Sequence, residues 1–279
     1  MIIWLSSYPK NGNTWLRSLI SSYYYTKDGL FLGDKQLQNI QQFPTKKFME
    51  NFDYDLKKPG DTVKYWIKAQ EKINLDNKIK FFKTHNAFWK IGQDCFTNDE
   101  NTKGIIHIVR DPRNVITSIK NHYNHESYEK ALKFIKDEDN TIGVRGSKRG
   151  EDLPTIVSSW KFHYNSWKSI TSFKSKYILI KYENLLNNPI DEFRKIAEFI
   201  KEIAPIKFDK KNILKAIENT SFENLKKQED SRGFKEAPKN NNKFFHLGPK
   251  NNWRDLLDKS IKDEIEVSFK NEMKDLGYL

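Results

Sequence analysis

A short loop between an apolar run and a helical pattern constrains the fold of this chain more than any other feature. Residues 2–5 read Ile-Ile-Trp-Leu, which is typical of a β-strand, and apolar side chains recur with helical spacing from Thr14 onwards. Between them, residues 10–13 read Lys-Asn-Gly-Asn, which favours a turn. The sequence therefore predicts the order strand, glycine loop and helix at the beginning of the chain.

The amino end of the helix that follows this loop is suited to bind an anion. Free backbone amides and the helix dipole favour negative charge there. Gly12 lets the backbone approach an oxyanion closely, Lys10 adds a positive charge and Thr14 adds a hydroxyl. The loop is P-loop-like but not a Walker A sequence, because two glycines followed by Lys and Ser or Thr are absent. On these residues alone, an ordinary strand-to-helix turn is an equal alternative.

Strand-like and helix-like segments alternate along the rest of the chain. Strands are predicted at residues 80–85, 104–109 and 177–180, and helices at 190–203, 210–219 and 256–274. Residues 29–77 are irregular, with short helical pieces. We expect an α/β fold with a central, mostly parallel β-sheet flanked by helices. A single domain over residues 1–279 is expected, because this length suits one large α/β unit.

A second candidate anion site follows the strand at residues 104–109. Arg110 comes directly after it, Asp111 and Pro112 begin a helix, and Ser118 lies about two turns into that helix. Arg110 can fork onto a phosphate and Ser118 can donate a second hydrogen bond. Since ligands of α/β sheets bind at strand ends, two such sites predict a ligand with two phosphate centres. The alternative is that Arg110 pairs with a nearby carboxylate.

His85 is the candidate general base. It ends the strand at residues 80–85, two positions after Lys83, and a histidine there can take a proton near pH 7. Taken alone, a structural histidine is the alternative. His107 lies inside a predicted buried strand, and His122 and His125 lack companion ligands in the sequence, so we predict no metal site.

Charge and composition limit the class of protein. Lys and Arg number 49 against 37 Asp and Glu, which gives a net charge of +12. This excess suits an anionic ligand, and the alternative is a general richness in lysine that solvates every helix. The single cysteine, Cys95, excludes an intramolecular disulfide and suits a reducing compartment. No run approaches the roughly 18 apolar residues of a membrane span, so we expect a cytoplasmic protein.

Two loops stand out in the second half of the chain. Residues 143–150 are basic and glycine-rich, which is typical either of a lid or of a plain solvated loop. Residues 228–252 are polar but contain Phe234, Phe244 and Phe245, with Trp253 directly after them. Aromatic residues in such a polar stretch predict that it docks onto the protein.

Together these segments resemble the cytosolic-type, PAPS-dependent sulfotransferase superfamily. Residues 8–15 resemble its 5′-phosphosulfate loop, in which bacterial members often carry Asn at the position of Asn13. Residues 109–113 with Ser118 resemble its 3′-phosphate motif, and residues 83–85 resemble the Lys-x-His element that supplies the catalytic base. Residues 180–185 resemble the strand that ends in Tyr-Glu-Asp, and residues 219–222 resemble the His-Thr-Ser-Phe segment.

The C-terminal motif of that superfamily is altered here. Its Arg-Lys-Gly-x-x-Gly-x-Trp segment corresponds to residues 246–253, which keep Gly248 and Trp253 but lose both adjacent cations. We hypothesise that Lys250 or Arg232 replaces the missing charge at the 3′-phosphate. The dimer segment of the superfamily is not recognisable, so the oligomeric state is not predicted.

The resemblance implies a reaction and a set of site residues. The reaction is transfer of a sulfuryl group from 3′-phosphoadenosine 5′-phosphosulfate (PAPS) to a hydroxyl or amine, leaving adenosine 3′,5′-bisphosphate (PAP), without a metal. The implied catalytic residues are His85, Lys10 and Lys83. The implied nucleotide-binding residues are Lys10, Asn11, Gly12, Asn13, Thr14, Trp15, Arg110, Ser118, Tyr182, Thr220, Phe222, Gly248 and Lys250, of which Trp15, Tyr182, Thr220 and Phe222 would border the adenine.

The acceptor is not readable from the sequence and is expected to be a small molecule, a lipid or a glycan. Two other functions are alternatives, a nucleotide-dependent phosphotransferase on a related fold and a basic polyanion-binding protein. The missing Walker lysine argues against the first. Scattered lysines without a nucleic-acid recognition motif argue against a nucleic-acid partner.

Overall fold

The computed structural model describes residues 1–58, 60–143, 153–170, 176–206, 209–237 and 243–279. The strands are β1 (Ile2–Ser6), β2 (Gln41–Gln42), β3 (Lys80–Thr84), β4 (Lys90–Ile91), β5 (Asp94–Cys95), β6 (Thr102–Val109), β7 (Thr141–Ile142), β8 (Thr155–Ile156) and β9 (Lys176–Lys181). The helices are α1 (Asn13–Tyr25), α2 (Asp34–Leu37), α3 (Lys46–Met49), α4 (Trp66–Asn74), α5 (Pro112–Tyr123), α6 (Tyr128–Lys136), α7 (Trp160–Lys168), α8 (Tyr182–Asn187), α9 (Pro189–Ile203), α10 (Lys210–Asn219), α11 (Phe222–Arg232), α12 (Trp253–Leu256), α13 (Lys259–Ser268) and α14 (Lys270–Asp275).

The central sheet is parallel and has the strand order β2-β3-β1-β6-β9. β1 lies in the middle and is fully buried, which explains why residues 2–5 are apolar without interruption. In its register, Ser6 pairs with Thr84 of β3 and with His107 of β6. The predicted α/β fold with a mostly parallel sheet is confirmed.

Helices cover both faces of the sheet because successive side chains of each strand point to opposite sides. Ile3 and Leu5 of β1 pack with residues of α1, α9 and α10 on one face. Trp4 of β1 packs on the other face with Trp66 of α4 and Trp167 of α7. A third cluster joins α5, α6, α7, α13 and α14 beside the end of β6. The sheet is therefore buried on both sides, and its strand ends are left to form a site.

Some element boundaries differ from the prediction. The helix predicted at residues 256–274 is interrupted, because Leu257 is extended after α12 and Phe269 leaves helical geometry between α13 and α14. The stretch predicted to be irregular from residue 228 begins inside α11, which ends at Arg232. β2 was not predicted, since two glutamines at a sheet edge carry no periodic signal.

The polar stretch after α11 docks through its aromatic residues, as predicted. Phe234, Phe244 and Phe245 pack together with Leu225. The Glu229 carboxylate accepts hydrogen bonds from the amides of Phe244 and Phe245 at 2.7 and 2.9 Å. The basic loop at 143–150 lies outside the described residues except for Gly143. Across the described ranges, no helix is both long and apolar enough to cross a membrane.

Two buried histidines make the fold sensitive to acid. Burial lowers the pKa of His107 in β6 to about 3 and lowers the pKa of His163 in α7 well below its usual value. In the unfolded chain these groups titrate near 6.5, so the unfolded state binds more protons below that pH. The contribution of these neutral histidines to stability is therefore fully present at neutral pH. The free energy of unfolding falls as the pH drops below about 6.5.

We predict that His163→Phe reduces the slope of the free energy of unfolding against pH between pH 6 and 4. The reduction corresponds to one proton, or about 1.4 kcal/mol per pH unit. The measurement is urea denaturation at a series of pH values. A slope equal to that of the unaltered protein would contradict the burial of a neutral His163. The substitution itself shifts the whole curve, so the comparison is of slopes and not of absolute free energies.

Candidate functional site

A cavity of about 760 Å³ lies at the carboxyl ends of β1, β3 and β6. Lys10, His85 and Arg110 follow these three strands and all line it. Because parallel neighbouring strands end at the same edge of a sheet, residues far apart in sequence meet there. The two candidate anion sites and the candidate base therefore share one cavity.

Most of the residues predicted for the site line this cavity, and three do not. Those in its wall are Lys10, Gly12, Asn13, Thr14, Trp15, Lys83, His85, Arg110, Ser118, Tyr182, Phe222 and Gly248. Asn11 is buried and its side-chain amide donates to the Ile108 carbonyl at 3.4 Å. The buried Thr220 hydroxyl donates to the Ala216 carbonyl at 2.7 Å, and Lys250 is exposed outside the wall. In the structure the Asn11 side chain thus bonds to the end of β6 and the Thr220 side chain to the last turn of α10.

The loop before α1 has a strained conformation that depends on glycine. Gly12 has a φ of 99°, and a Cβ at this position would lie 2.4 Å from the Tyr182 ring. Lys10 also has a positive φ, 67°. The side-chain amide of Asn13 donates to the Leu5 carbonyl at 3.0 Å and to the Ser7 hydroxyl at 3.1 Å. The loop is thus held against β1 while the first turn of α1 begins beside the cavity.

The Lys10 ammonium lies between an imidazole and an aromatic ring. Its Nζ donates to His122 Nδ1 at 3.4 Å and lies 3.9 Å from the centre of the Phe244 ring. Burial, followed by the charge of Arg110, lowers the pKa of Lys10 to about 7. Burial and Lys10 lower the pKa of His122 to about 3, so this imidazole is neutral and can accept. The sequence showed no partner for His122, which lies one helical turn after Ser118 in α5.

Arg110 faces the cavity and is held by neutral groups. Its Nη1 donates to Ser118 Oγ at 3.2 Å and to the Lys10 carbonyl at 3.3 Å, and its guanidinium lies 4.2 Å from the centre of the Tyr182 ring. Within the part of the chain that the structure describes, Arg110 has no ion pair and its buried Nε has no hydrogen-bond partner. Among the described residues, the structure therefore does not pair Arg110 with a carboxylate, which was the alternative.

An asparagine completes the Arg110 site. The amide of Asn251 donates to Ser118 Oγ at 2.9 Å and its oxygen accepts from Thr117 at 2.6 Å. Neither of the two cations considered as replacements lines the cavity, and Arg232 instead lines a separate cavity of about 140 Å³. Asn251 lies inside the altered C-terminal motif, but no pattern in the sequence singles it out.

His85 is oriented by the backbone of the glycine loop. Its Nδ1 donates to the Ser7 carbonyl at 2.8 Å, which leaves the lone pair on Nε2. Burial, followed by the charge of Lys83, lowers the pKa of His85 to about 3. The ring is therefore neutral at physiological pH, so Nε2 carries a lone pair that can accept a hydrogen bond.

A carboxylate that the sequence did not indicate lies among the cations. Glu236 accepts from Arg17 at 2.6 Å, from Lys83 at 3.2 Å and from the Thr14 hydroxyl at 3.1 Å. Burial works to raise the pKa of Glu236, but Arg17 and Lys83 outweigh it and hold that pKa well below its usual value. Glu236 and Thr14 are more than 200 residues apart, so no local pattern could have paired them.

Comparison with known proteins identifies the family. A family model described as Sulfotransferase domain matches residues 2–277. The chain belongs to this sulfotransferase family. The predicted superfamily and enzyme class are confirmed. Cytosolic sulfotransferase 16 of Arabidopsis thaliana is 22% identical over 98% of this chain and 76% of its own length. Flavonol 3-sulfotransferase of Flaveria bidentis is 21% identical over 95% of this chain and 79% of its own length.

Solved structures share the fold of this sulfotransferase. The crystal structure of mouse sulfotransferase SULT7A1 complexed with PAP aligns with a TM-score of 0.62 at 19% identity, covering 99% of this chain and 85% of that one. A retinol dehydratase in complex with androsterone and inactive cofactor PAP aligns with a TM-score of 0.58 at 17% identity, covering 98% and 81%. At these identities the likeness concerns the fold.

The close approach of Tyr182 to the glycine loop predicts the cost of a methyl group. Gly12→Ala combines an unfavourable φ with a collision against the Tyr182 ring. Gly92→Ala is the matched control, since Gly92 has a φ of 61° and no atom within 4 Å of the added Cβ. We expect Gly12→Ala to lower the free energy of unfolding by at least about 1 kcal/mol more than Gly92→Ala. If urea denaturation showed the same loss of unfolding free energy in both variants, the close packing of Gly12 against Tyr182 would be contradicted.

Proposed function

We propose that this sulfotransferase moves the sulfuryl group of PAPS to a hydroxyl or amine of an acceptor, acting as a single domain over residues 1–279. The observation that carries the proposal is the meeting of the glycine loop, the Arg110 and Ser118 site and His85 in one cavity. PAP in complex with two similarly folded proteins, the mouse sulfotransferase and the retinol dehydratase, supports the choice of donor. The donor supplies an activated sulfuryl group and a bisphosphate leaving group.

The residues of the cavity suit a nucleotide with anionic groups at two ends. Lys10, Lys83 and Arg110 line it together with two carboxylates, Glu223 and Glu236, so the cations outnumber the anions. Glu236 accepts from Lys83. The unpartnered Nε of Arg110 offers a further donor. Trp15 and Tyr182, whose ring centres are 5.7 Å apart, offer an aromatic wall for a base.

Each polar residue then has a distinct task. His85 accepts the proton of the acceptor through Nε2, because its Nδ1 is already bonded to the Ser7 carbonyl. Lys10 neutralises the leaving oxygen, Lys83 neutralises charge on the transferring group, and Thr14 with the first-turn amides of α1 holds the 5′-phosphate. Arg110 and Ser118 hold the 3′-phosphate. Lysines and amides can thus supply the neutralisation that phosphotransferases obtain from Mg²⁺, and the proposal includes no metal.

The acceptor is proposed to be a small molecule, with a lipid or glycan as the alternatives. The wall of the same cavity also includes Tyr123, Ile142 and Leu153, which offer apolar surface to an acceptor. Relatives named as flavonol sulfotransferases support a small hydroxylated acceptor. We also propose a cytoplasmic location, which the names of the cytosolic relatives support.

Substitution of His85 is expected to affect turnover and nucleotide binding differently. His85→Ala is expected to lower turnover about 10²- to 10⁴-fold while leaving the Kd for PAP nearly unchanged. Arg110→Ala is the matched variant, expected to weaken PAP at least about tenfold because it removes a charged partner of a phosphate. The measurements are transfer of labelled sulfuryl group to a panel of alcohols, phenols and amines, and calorimetry with PAP. Near-normal turnover in His85→Ala would contradict the assignment of the base.

The lowered pKa of Lys10 predicts how nucleotide binding depends on pH. Above pH 7 a growing fraction of Lys10 is neutral in the free enzyme, whereas a bound phosphate favours the charged form. Affinity for PAP is therefore expected to fall as the pH rises from 7 to 9, by up to about tenfold per pH unit, with uptake of a proton on binding. Both phosphates of PAP are already dianions in this range.

Calorimetry in buffers of different ionisation enthalpy measures both quantities. Lys10→Arg is the control, since a guanidinium stays charged and should remove the dependence. A pH-independent affinity in the unaltered enzyme would show that Lys10 does not titrate with the nucleotide.

A further inference from the structure

Three donors beside the glycine loop form an anion seat, which we define as Thr14 Oγ1, Arg17 Nη1 and Lys83 Nζ. In the structure the Glu236 carboxylate fills it, at 3.1, 2.6 and 3.2 Å from these atoms. The seat is a built one, because Thr14, Arg17 and Lys83 are each more than nine-tenths buried. Two cations buried so close together require an anion between them.

Arg17 is fixed at the back of the seat. Its Nη2 donates to the carbonyls of Leu37 and Ile40 at 3.3 and 3.0 Å, so the guanidinium cannot swing away. Its buried Nε has no hydrogen-bond partner among the described residues. Arg17 does not line the cavity, whereas Glu236, which accepts from its Nη1 at 2.6 Å, does. Departure of that carboxylate would leave Nη1 without its anionic partner.

Glu236 belongs to a segment that is attached differently from the other walls. It follows α11 in the stretch from Gly233 to Ala237, which is held by the aromatic packing of Phe234 and by the Lys235 amide donating to Asp34 at 3.0 Å. These anchors are separate from the seat. The carboxylate can therefore leave the seat without unfolding the sheet or α1.

The occupied seat conflicts with nucleotide binding. A threonine hydroxyl has one proton, and that of Thr14 is donated to Glu236. The same hydroxyl is the one that the proposed function assigns to the 5′-phosphate. A carboxylate and a phosphosulfate side by side would also repel each other in a buried site. The two anions compete for the same donors.

We propose that the anion seat belongs to the phosphosulfate end of the donor, that Arg17 is a further donor-binding residue, and that Glu236 holds the seat only in the empty enzyme. This inference rests on the proposed function. Donor binding then displaces Glu236, and departure of the nucleotide lets it return. Glu236 keeps the buried cations compensated in the empty state and lowers the affinity for donor and product alike.

Calorimetry with PAP and with adenosine 3′-phosphate tests the displacement. Glu236→Gln removes the competing charge and Glu236→Asp shortens the side chain so that its carboxylate no longer fills the seat. Both are expected to bind PAP at least about tenfold more tightly than the unaltered enzyme. Adenosine 3′-phosphate, which lacks the 5′ anion, should change less than about threefold. Glu218→Gln, the same change of charge on the exposed end of α10, should change neither ligand.

Two outcomes would overturn the displacement. Tighter binding in Glu236→Gln with unaltered binding in Glu236→Asp would mean that Glu236 acts only through its charge and does not occupy the seat. Unaltered PAP binding in both variants would mean that no competition exists. Thermal denaturation of each variant without ligand checks that the fold is kept.

The role of Arg17 has its own test. In the Glu236→Gln background, Arg17→Gln should weaken PAP at least about tenfold but leave adenosine 3′-phosphate within about threefold. Equal losses for the two ligands would assign Arg17 to structure alone. Absence of any PAP binding by the unaltered enzyme would instead refute the proposed function, so the two failures are distinguishable.

Discussion

The parallel pairing of β1 with β3 and β6 is the constraint on which the site depends. Ser6 pairs with both Thr84 and His107, so the backbone hydrogen bonds bring the three strand ends to one edge. A shift of one residue would turn every side chain of β1 to the opposite face and bring Trp4 into the cluster that now packs around Ile3 and Leu5. The hydrophobic core therefore determines where the polar residues meet.

The cost of this arrangement is a concentration of buried positive charge, which the protein offsets in three ways. Glu236 compensates Arg17 and Lys83, the ring of Phe244 lies against the Lys10 ammonium, and the lowered pKa of Lys10 relieves the remaining repulsion. The remaining positive charge of the cavity is complementary to the anionic donor that we propose.

The segments that meet in the cavity were predictable from sequence. The glycine loop, the Arg110 site and His85 were found because each follows an apolar run and lies at a strand end. The residues that the resemblance added were less secure, since Asn11, Thr220 and Lys250 lie outside the cavity wall. Four residues in or behind the cavity wall were not predicted, because each contacts a partner that is distant in sequence or on a different element. They are Arg17, His122, Glu236 and Asn251.

The sequence by itself determined the α/β class, the order of strands and helices, the family and the chemistry available at two strand ends. The class, the order of elements and the strand-end chemistry depend on periodicity and on turn residues, which are properties of neighbouring positions. The family was identified from motifs that resemble it. Only the tertiary structure decided which charges face each other, how far each pKa moves and which carboxylate fills the anion seat. Electrostatic energies depend on distance and burial, and neither quantity can be read from the order of residues along a chain.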